Sequence, residues 1–294
     1  MTTEANQKSM IPTAINNAIP AAQKLKDQEK SLVLPGIKSV VLDQSDSYFG
    51  GKGSDGTYQK IINQIPKHEI FIETHAGHAK ITENLGEFDG VTVLNDIDPQ
   101  VCKYLRIKFK DKLIDKRYFQ QTYAPYQVKK FFDASHGKVV IENEDAIDLL
   151  RKYREIIGTY KTVIFCDPPY PMKSRKSQEC RYNFEMSDKQ HEELISYLDL
   201  FDAPAMICTY PNEIYERNLS KWRRIDYESN TRHGMAKEHL YLNFGAVLEL
   251  RTIKYFGNDY REREKYKKIL ANLKRKLKSL PEPILNSIIE DFIK

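Results

Sequence analysis

Five short apolar runs punctuate the chain: "EIFIE" (69–73), "VTVLN" (91–95), "KVVIE" (138–142), "TVIFC" (162–166) and "AMICT" (205–209). Their near-continuous apolar character predicts strands covered on both faces, as in a parallel sheet. Between them the apolar spacing turns helical. Tyr58, Ile61, Ile62 and Ile65 fall at i, i+3, i+4, i+7, and so do Ala146, Leu149, Leu150 and Tyr153. Val101, Leu105, Phe109 and Leu113 line one face of a helix predicted over 99 to about 114. Ser187 followed by Gln190 gives a capping-box start to a helix whose core face is Leu194, Ile195 and Leu198. Strands alternating with helices predict an α/β, doubly wound, mostly parallel sheet. "HLYLNFGAVLEL" (239–250) predicts one or two late strands.

Composition narrows the picture. With 294 residues, 40% of them hydrophobic, the chain can bury one large domain with appendages. Residues 1–36 are polar and rich in Ala, Asn and Gln and read as an arm; 37–257 carry the strand–helix pattern; 258–294 form a basic helical extension. The first residues lack the apolar core of a signal peptide, and no apolar run is long enough to span a bilayer, so a cytoplasmic protein away from membranes is the simplest expectation. The four cysteines, Cys102, Cys166, Cys180 and Cys208, include no close pair, which argues against a zinc knuckle or a disulfide framework. His75 and His78 sit three apart without a third ligand, so no metal is expected. The net charge of +5 is mild, and its distribution matters more than its size.

The chemistry gathers at the strand ends. "VIFCDPPYPMKSR" (163–175) runs a buried strand into Asp167, Pro168, Pro169 and Tyr170. Residues before proline favour extended geometry, and proline has no N–H for a ladder. The chain therefore leaves the sheet stiffly, holding a carboxylate, a bare carbonyl and an aromatic ring together. Carboxylate and carbonyl only accept hydrogen bonds, so Asp167 and the Pro168 carbonyl match the two N–H donors of a base amino group, with Tyr170 as a stacking face. Ligands in open α/β sheets sit just beyond such strand ends. "FIETHAGHAKI" places Glu73 at another strand end, before a small-residue turn around Gly77. "LNDIDP" places Asp96 and Asp98 after the next strand, where a ribose diol is held in nucleotide-binding sheets. "IENEDAIDLL" places Glu144 and Asp145 after the following one. Each acid alone is equally read as a helix cap. Together, four successive acidic strand ends on one sheet edge point to a ligand site.

In this order the motifs resemble those of the Dam-type adenine DNA methyltransferases. The resemblance spans about residues 45 to 250. It implies a Rossmann-like class I S-adenosylmethionine-dependent methyltransferase fold, S-adenosylmethionine as cofactor, and methylation of the amino group of an adenine flipped out of double-stranded DNA. "YFGGKGSDGTYQKIINQIP" resembles the opening motif and places Tyr48, Gly51 and Lys52 on the cofactor. By the same resemblance Phe71, Glu73 and Gly77 form the glycine-turn motif, Asp96 holds the ribose and Asp145 the cofactor adenine. Asp167 to Tyr170 form the catalytic motif, Asp167 reaching the cofactor region as well, and Tyr182, Phe184 and His191 belong to the loop and helix after it. The chain departs from the pattern in Thr74-His75, where the family has Pro-Phe, and in Ala79, where it has a second glycine.

The target-recognition insert is short, about 115–137. It mixes Lys116, Arg117, Lys129 and Lys130 with Tyr118, Tyr123 and Tyr126, a composition suited to phosphates and stacked bases. Lys173, Arg175 and Tyr182, around the loop after the catalytic motif, are further nucleic-acid candidates. In the extension, Ile269, Leu270, Leu273, Leu277 and Leu280 share a helical face expected to dock on the domain, while Lys274, Arg275 and Lys278 face phosphates. Two rivals stay open: the same chemistry on RNA or another base amine, and a non-catalytic subunit that keeps the fold and binds nucleic acid.

Overall fold

A computed structural model describes residues 51–54, 56–86, 90–114, 138–175, 182–231 and 234–293. The strands are β1 (Ile70–Glu73), β2 (Val91–Asn95), β3 (Lys138–Glu142), β4 (Thr162–Cys166), β5 (Ala205–Thr209), β6 (Arg223–Thr231) and β7 (Gly234–Leu242). The helices are α1 (Thr57–Ile62), α2 (Lys80–Leu85), α3 (Pro99–Lys108), α4 (Ala146–Lys152), α5 (Arg154–Thr159), α6 (Asp188–Leu198), α7 (Glu213–Asn218), α8 (Tyr260–Lys278) and α9 (Glu282–Ile293). One seven-stranded sheet runs β3-β2-β1-β4-β5-β7-β6. β1 to β5 are parallel, and β7 runs antiparallel between β5 and β6. This is a Rossmann-like, doubly wound α/β fold. The order reverses between β1 and β4, which opens a crevice beyond their C-terminal ends.

The period-2 alternation of the strands feeds two cores. Ile70, Ile72, Val93, Val140, Ile164 and Ile207 face α4 to α7, packing on Leu149, Leu150, Ile157, Leu194, Leu198 and Tyr215. On the other face, Phe71, Val163, Phe165 and Met206 pack on Ile61, Ile62 and Ile81, while Leu94, Val139 and Ile141 pack on Val101 and Leu105. The capping box at Ser187 and Gln190 forms as the sequence predicts. Cys102, Cys166 and Cys208 are free and buried.

Two expectations change. The run 239–250 supplies only the end of β7. Beyond Leu242 the chain is irregular, with Leu250 bridging Pro66 and the Tyr255 carbonyl accepting from Asn63. Phe244 and Tyr255 close the core face beside α1. The helix α8 buries none of its residues; Ile269 and Leu273 are about half exposed, at 49% and 50%. The expected docking of its apolar stripe does not occur among the described residues. The strand β6 escaped the sequence reading because it is an edge strand whose outer face carries Arg224, Asp226 and Glu228.

A fully buried asparagine ties the strand ends together. The Asn95 side-chain NH2 donates to the Thr74 carbonyl (2.9 Å) and the Glu144 carbonyl (3.0 Å), and its oxygen accepts from the Glu144 N–H (3.1 Å). The loops after β1, β2 and β3 are thus fixed relative to one another. Asn95→Ala should cost about 2–4 kcal/mol, because it strands the buried Thr74 carbonyl and two part-buried backbone groups of Glu144. Urea unfolding at unchanged m reads this as a lower midpoint. A loss below about 0.5 kcal/mol would show that the loops hold without it.

Candidate active site

The crevice beyond β1 to β4 is lined by Gly51, Lys52, Glu73, Gly77, Asp96, Asp145, Asp167, Pro169, Tyr170 and Tyr182, among others. It is an open crevice of about 1020 Å³, solvent-filled space at its mouth included. The structure therefore brings together the opening lysine, the acids after all four strands and the catalytic-motif tyrosine.

Each acid has local work. Glu73 ends β1 and caps α2: the Thr82 N–H donates to its Oε1 at 2.8 Å, and the Thr82 hydroxyl donates to the same oxygen. Burial pushes the Glu73 carboxyl up to about 7, against those two hydrogen bonds. The turn that follows is left-handed at Gly77 (φ 48°) and again at Ala79 (φ 51°). Glycine adopts this region freely and alanine does so at a cost; the Ala79 methyl is fully buried against Leu94 and Val101. Asp96 accepts from the Gly77 N–H (2.9 Å) and the Asp98 N–H (3.0 Å), so it sets the turn as well as lining the crevice. Asp98 caps α3 through the Gln100 N–H and accepts from Asn183 at 2.8 Å, which joins the β2 loop to the loop after the catalytic motif. Asp145 caps α4 through Ile147 and Asp148, and Glu144 pairs with Lys152 at 2.7 Å.

The side of the crevice at the exit from β4 is held by one cation. Lys52, 5% exposed, places its ammonium 2.8 Å from Asp167 Oδ1 and 3.5 Å from Glu238 Oε2, and 4.9 Å above the Tyr170 ring. The Tyr170 hydroxyl donates to Glu238 Oε2 at 2.7 Å and lies 3.3 Å from Asp167 Oδ1. Burial opposes the Lys52 charge, but Asp167 and Glu238 outweigh it and hold the lysine above its usual range. Asp167 gains from one ammonium only. Burial pushes it up to about 6, Lys52 pulls it back, and Glu238 repels its charge. Burial also raises Glu238, yet Lys52 and the hydroxyls of Ser229, Tyr170 and Tyr227 bring it below its usual value.

Other candidates fall elsewhere. Tyr48 and Lys116, Arg117, Tyr118, Lys129 and Lys130 lie outside the described residues. Pro168 is buried behind the crevice wall. Lys173 is exposed and 3.3 Å from Asp188. Arg175 is turned inward: its guanidinium grips both Glu185 oxygens (2.8 and 2.6 Å), donates to the Tyr170 carbonyl (2.8 Å) and lies over the Tyr182 ring at 5.2 Å. It organises the loop instead of presenting itself to phosphate, because Glu185 neutralises it within a part-buried pair. Lys274, Arg275 and Lys278 are carried on α8, which buries none of its residues. His191 is fully buried, 2.9 Å from the Tyr215 hydroxyl, and packs behind the site. Glu238, Tyr227 and Asn95 were missed. The signal for Glu238 was its i, i+2, i+4 register with Leu240 and Leu242, which puts an acid on an apolar face.

No protein-family model matches the chain, and no curated protein matches it. Among solved structures it is similar to a magnesium protoporphyrin IX methyltransferase from Synechocystis PCC 6803 with bound SAM, at 10% identity over 64% of this chain and 76% of that one, TM-score 0.38. It is also similar to a methyltransferase from Pyrococcus furiosus (14% identity, 76% and 98% covered, TM-score 0.36). A putative RNA methyltransferase from Pyrococcus horikoshii matches at 11% identity, with 78% and 100% covered and a TM-score of 0.36. Likenesses this distant decide nothing about reaction or substrate; the fold rests on the strand order.

Folding raises the Glu73 pKa, so its stabilising contribution is full below the ordinary value near 4.5 and is lost as pH rises through about 7. The loss is on the order of 3 kcal/mol. Glu73→Gln keeps an oxygen for the Thr82 donors and removes the ionisation. Its unfolding free energy should fall less steeply across that window than the parent's. An equal slope in both proteins would place the titrating group elsewhere.

Proposed function

We propose that this protein transfers a methyl group from S-adenosylmethionine to the exocyclic amino group of an adenine flipped out of double-stranded DNA. The observation that carries this reading is the exit from β4. There a Lys52-paired carboxylate, the Pro168–Pro169 turn and the Tyr170 ring stand together at the sheet's topological switch point.

The crevice fits the cofactor's chemistry. Each Asp96 oxygen takes one N–H, and an ionised carboxylate has about four acceptor sites, so capacity remains for ribose hydroxyls. Ile97 and Phe184, both lining the crevice and partly exposed, offer apolar faces to a purine. The acidic lining favours a cationic ligand. Bound there, S-adenosylmethionine supplies an electrophilic methyl on a positively charged sulfur. Asp167 accepts an N–H of the target amine. That contact draws electron density onto the nitrogen and aims its lone pair. Tyr170 gives the base a face to stack on. Asp167 works as the ionised acceptor, so transfer should rise as pH passes about 6. The rate comes from positioning and from acceptors fixed before reaction. A paired base cannot reach a strand-end crevice, which is why the target must leave the stack.

Asp167→Ala should abolish methyl transfer while S-adenosylmethionine affinity changes little. Asp96→Ala should weaken that affinity about tenfold to a hundredfold, the equivalent of roughly 1.5–3 kcal/mol for charge-assisted hydrogen bonds. Radiolabelled transfer and calorimetry read the two effects. Full activity in the first variant removes Asp167 from the chemistry, and unchanged affinity in the second moves the ribose elsewhere.

On this reading the basic residues of α8 hold the phosphate backbone. Charge reversal at Lys274, Arg275 and Lys278 should therefore flatten the salt dependence of DNA binding by about 2.7, roughly 0.9 per phosphate contact. Target and non-target DNA should weaken alike, since backbone contacts carry no sequence information. An unchanged slope would leave α8 without a part in binding.

A further inference from the structure

Glu238 stands outside the motif residues, yet it contacts both Lys52 and Tyr170. It is 4% exposed on β7. Its Oε2 accepts from the Tyr170 hydroxyl (2.7 Å) and the Tyr227 hydroxyl (2.9 Å) and lies 3.5 Å from the Lys52 ammonium; its Oε1 accepts from the Ser229 hydroxyl. Four donors on one buried carboxylate leave it little capacity for a ligand. We propose that Glu238 is a positioning residue of the site: it anchors the Tyr170 hydroxyl and divides the Lys52 ammonium with Asp167. This rests on the methyl-transfer reading for its consequence, but its geometry is a property of the protein alone.

Two effects follow. The first is orientation. Tyr170 is fixed at both ends: its backbone carbonyl accepts from Arg175, and its hydroxyl is held by Glu238, so the ring cannot swing away from the base. The second is charge. One buried cation faces two carboxylates, so one negative charge is in excess. Glu238 opposes ionisation of Asp167, as do burial and the more distant Glu73, while Lys52 and the Tyr170 hydroxyl favour it. The remaining groups that sense the Asp167 charge, Cys166, Cys208, Tyr182, Tyr210, Tyr215 and Tyr227, are neutral near pH 7, because burial raises the pKa of each. Either carboxylate can be neutralised singly without stranding Lys52, so Glu238→Gln should fold.

The test is a carbon-detected NMR titration of the side-chain carboxyls in the cofactor-free protein, with Asp167 assigned by its loss in Asp167→Asn. In Glu238→Gln the Asp167 midpoint should fall by about one unit or more, the size of a nearby charge effect. Where the parent methylates DNA, the acid limb of its pH–rate profile should move the same way, with kcat falling more than the cofactor KM changes. Should Glu238→Gln not fold, Tyr227→Phe with Ser229→Ala strips two donors from Glu238, makes it the more basic carboxylate, and should also lower the Asp167 midpoint. A midpoint unmoved in the folded variants overturns the proposal whatever the substrate is. A moved midpoint in a protein that never methylates DNA keeps the positioning role and rejects the methyl-transfer reading instead.

Discussion

Lys52 precedes the sheet in sequence, Asp167 lies on the turn after β4, and Glu238 comes from β7, toward the opposite side of the sheet; one buried ammonium holds the three together. Desolvating three charges is unfavourable, and losing Lys52 would leave two buried carboxylates uncompensated. The arrangement tolerates burial because hydroxyls of Tyr170, Tyr227 and Ser229 stabilise the charge on Glu238. What it secures is a rigid Asp167 and a rigid Tyr170 at a point where the sheet offers no backbone partner, the prolines having no N–H to give. The site's geometry follows from this one cation more than from any single strand.

The opposite arm of the crevice is built on a different principle. There the acids serve as helix caps and turn braces before they serve any ligand: Glu73 for α2, Asp98 for α3, Asp145 for α4 and Asp96 for the Gly77 turn. Helix N-termini favour negative charge, so structural and ligand-facing demands select the same residues. Asn95 then locks the loops into one frame. The two readings of each acid, cap or ligand, are therefore not alternatives in this fold.

Much of this was legible in the chain. The five parallel strands appear within a residue of their predicted bounds, because continuous Val and Ile runs have few other uses. The acids after β1 to β4 were visible because parallel topology sends all those strand ends to one edge. Glu238 and Asn95 were not. Each lies inside a strand, and its importance comes from partners far away in sequence. Arg175 carried the opposite lesson: beside Lys173 it reads as part of a basic loop, but Glu185 ten residues later turns it inward. Ala79 shows the limit of residue identity, since its left-handed backbone is set by the turn and not by its own preference.

The central claim is that the β4 exit presents a base amine to a methyl donor. The most direct measurement is to incubate the protein with S-adenosylmethionine carrying a labelled methyl and with adenine-containing duplex DNA, duplex lacking adenine, and RNA, then to digest each and identify the labelled nucleoside. The account requires the label on the amino nitrogen of adenine, from DNA containing it and not from the other two. Label on another base, on RNA alone, or on no nucleic acid at all would contradict it.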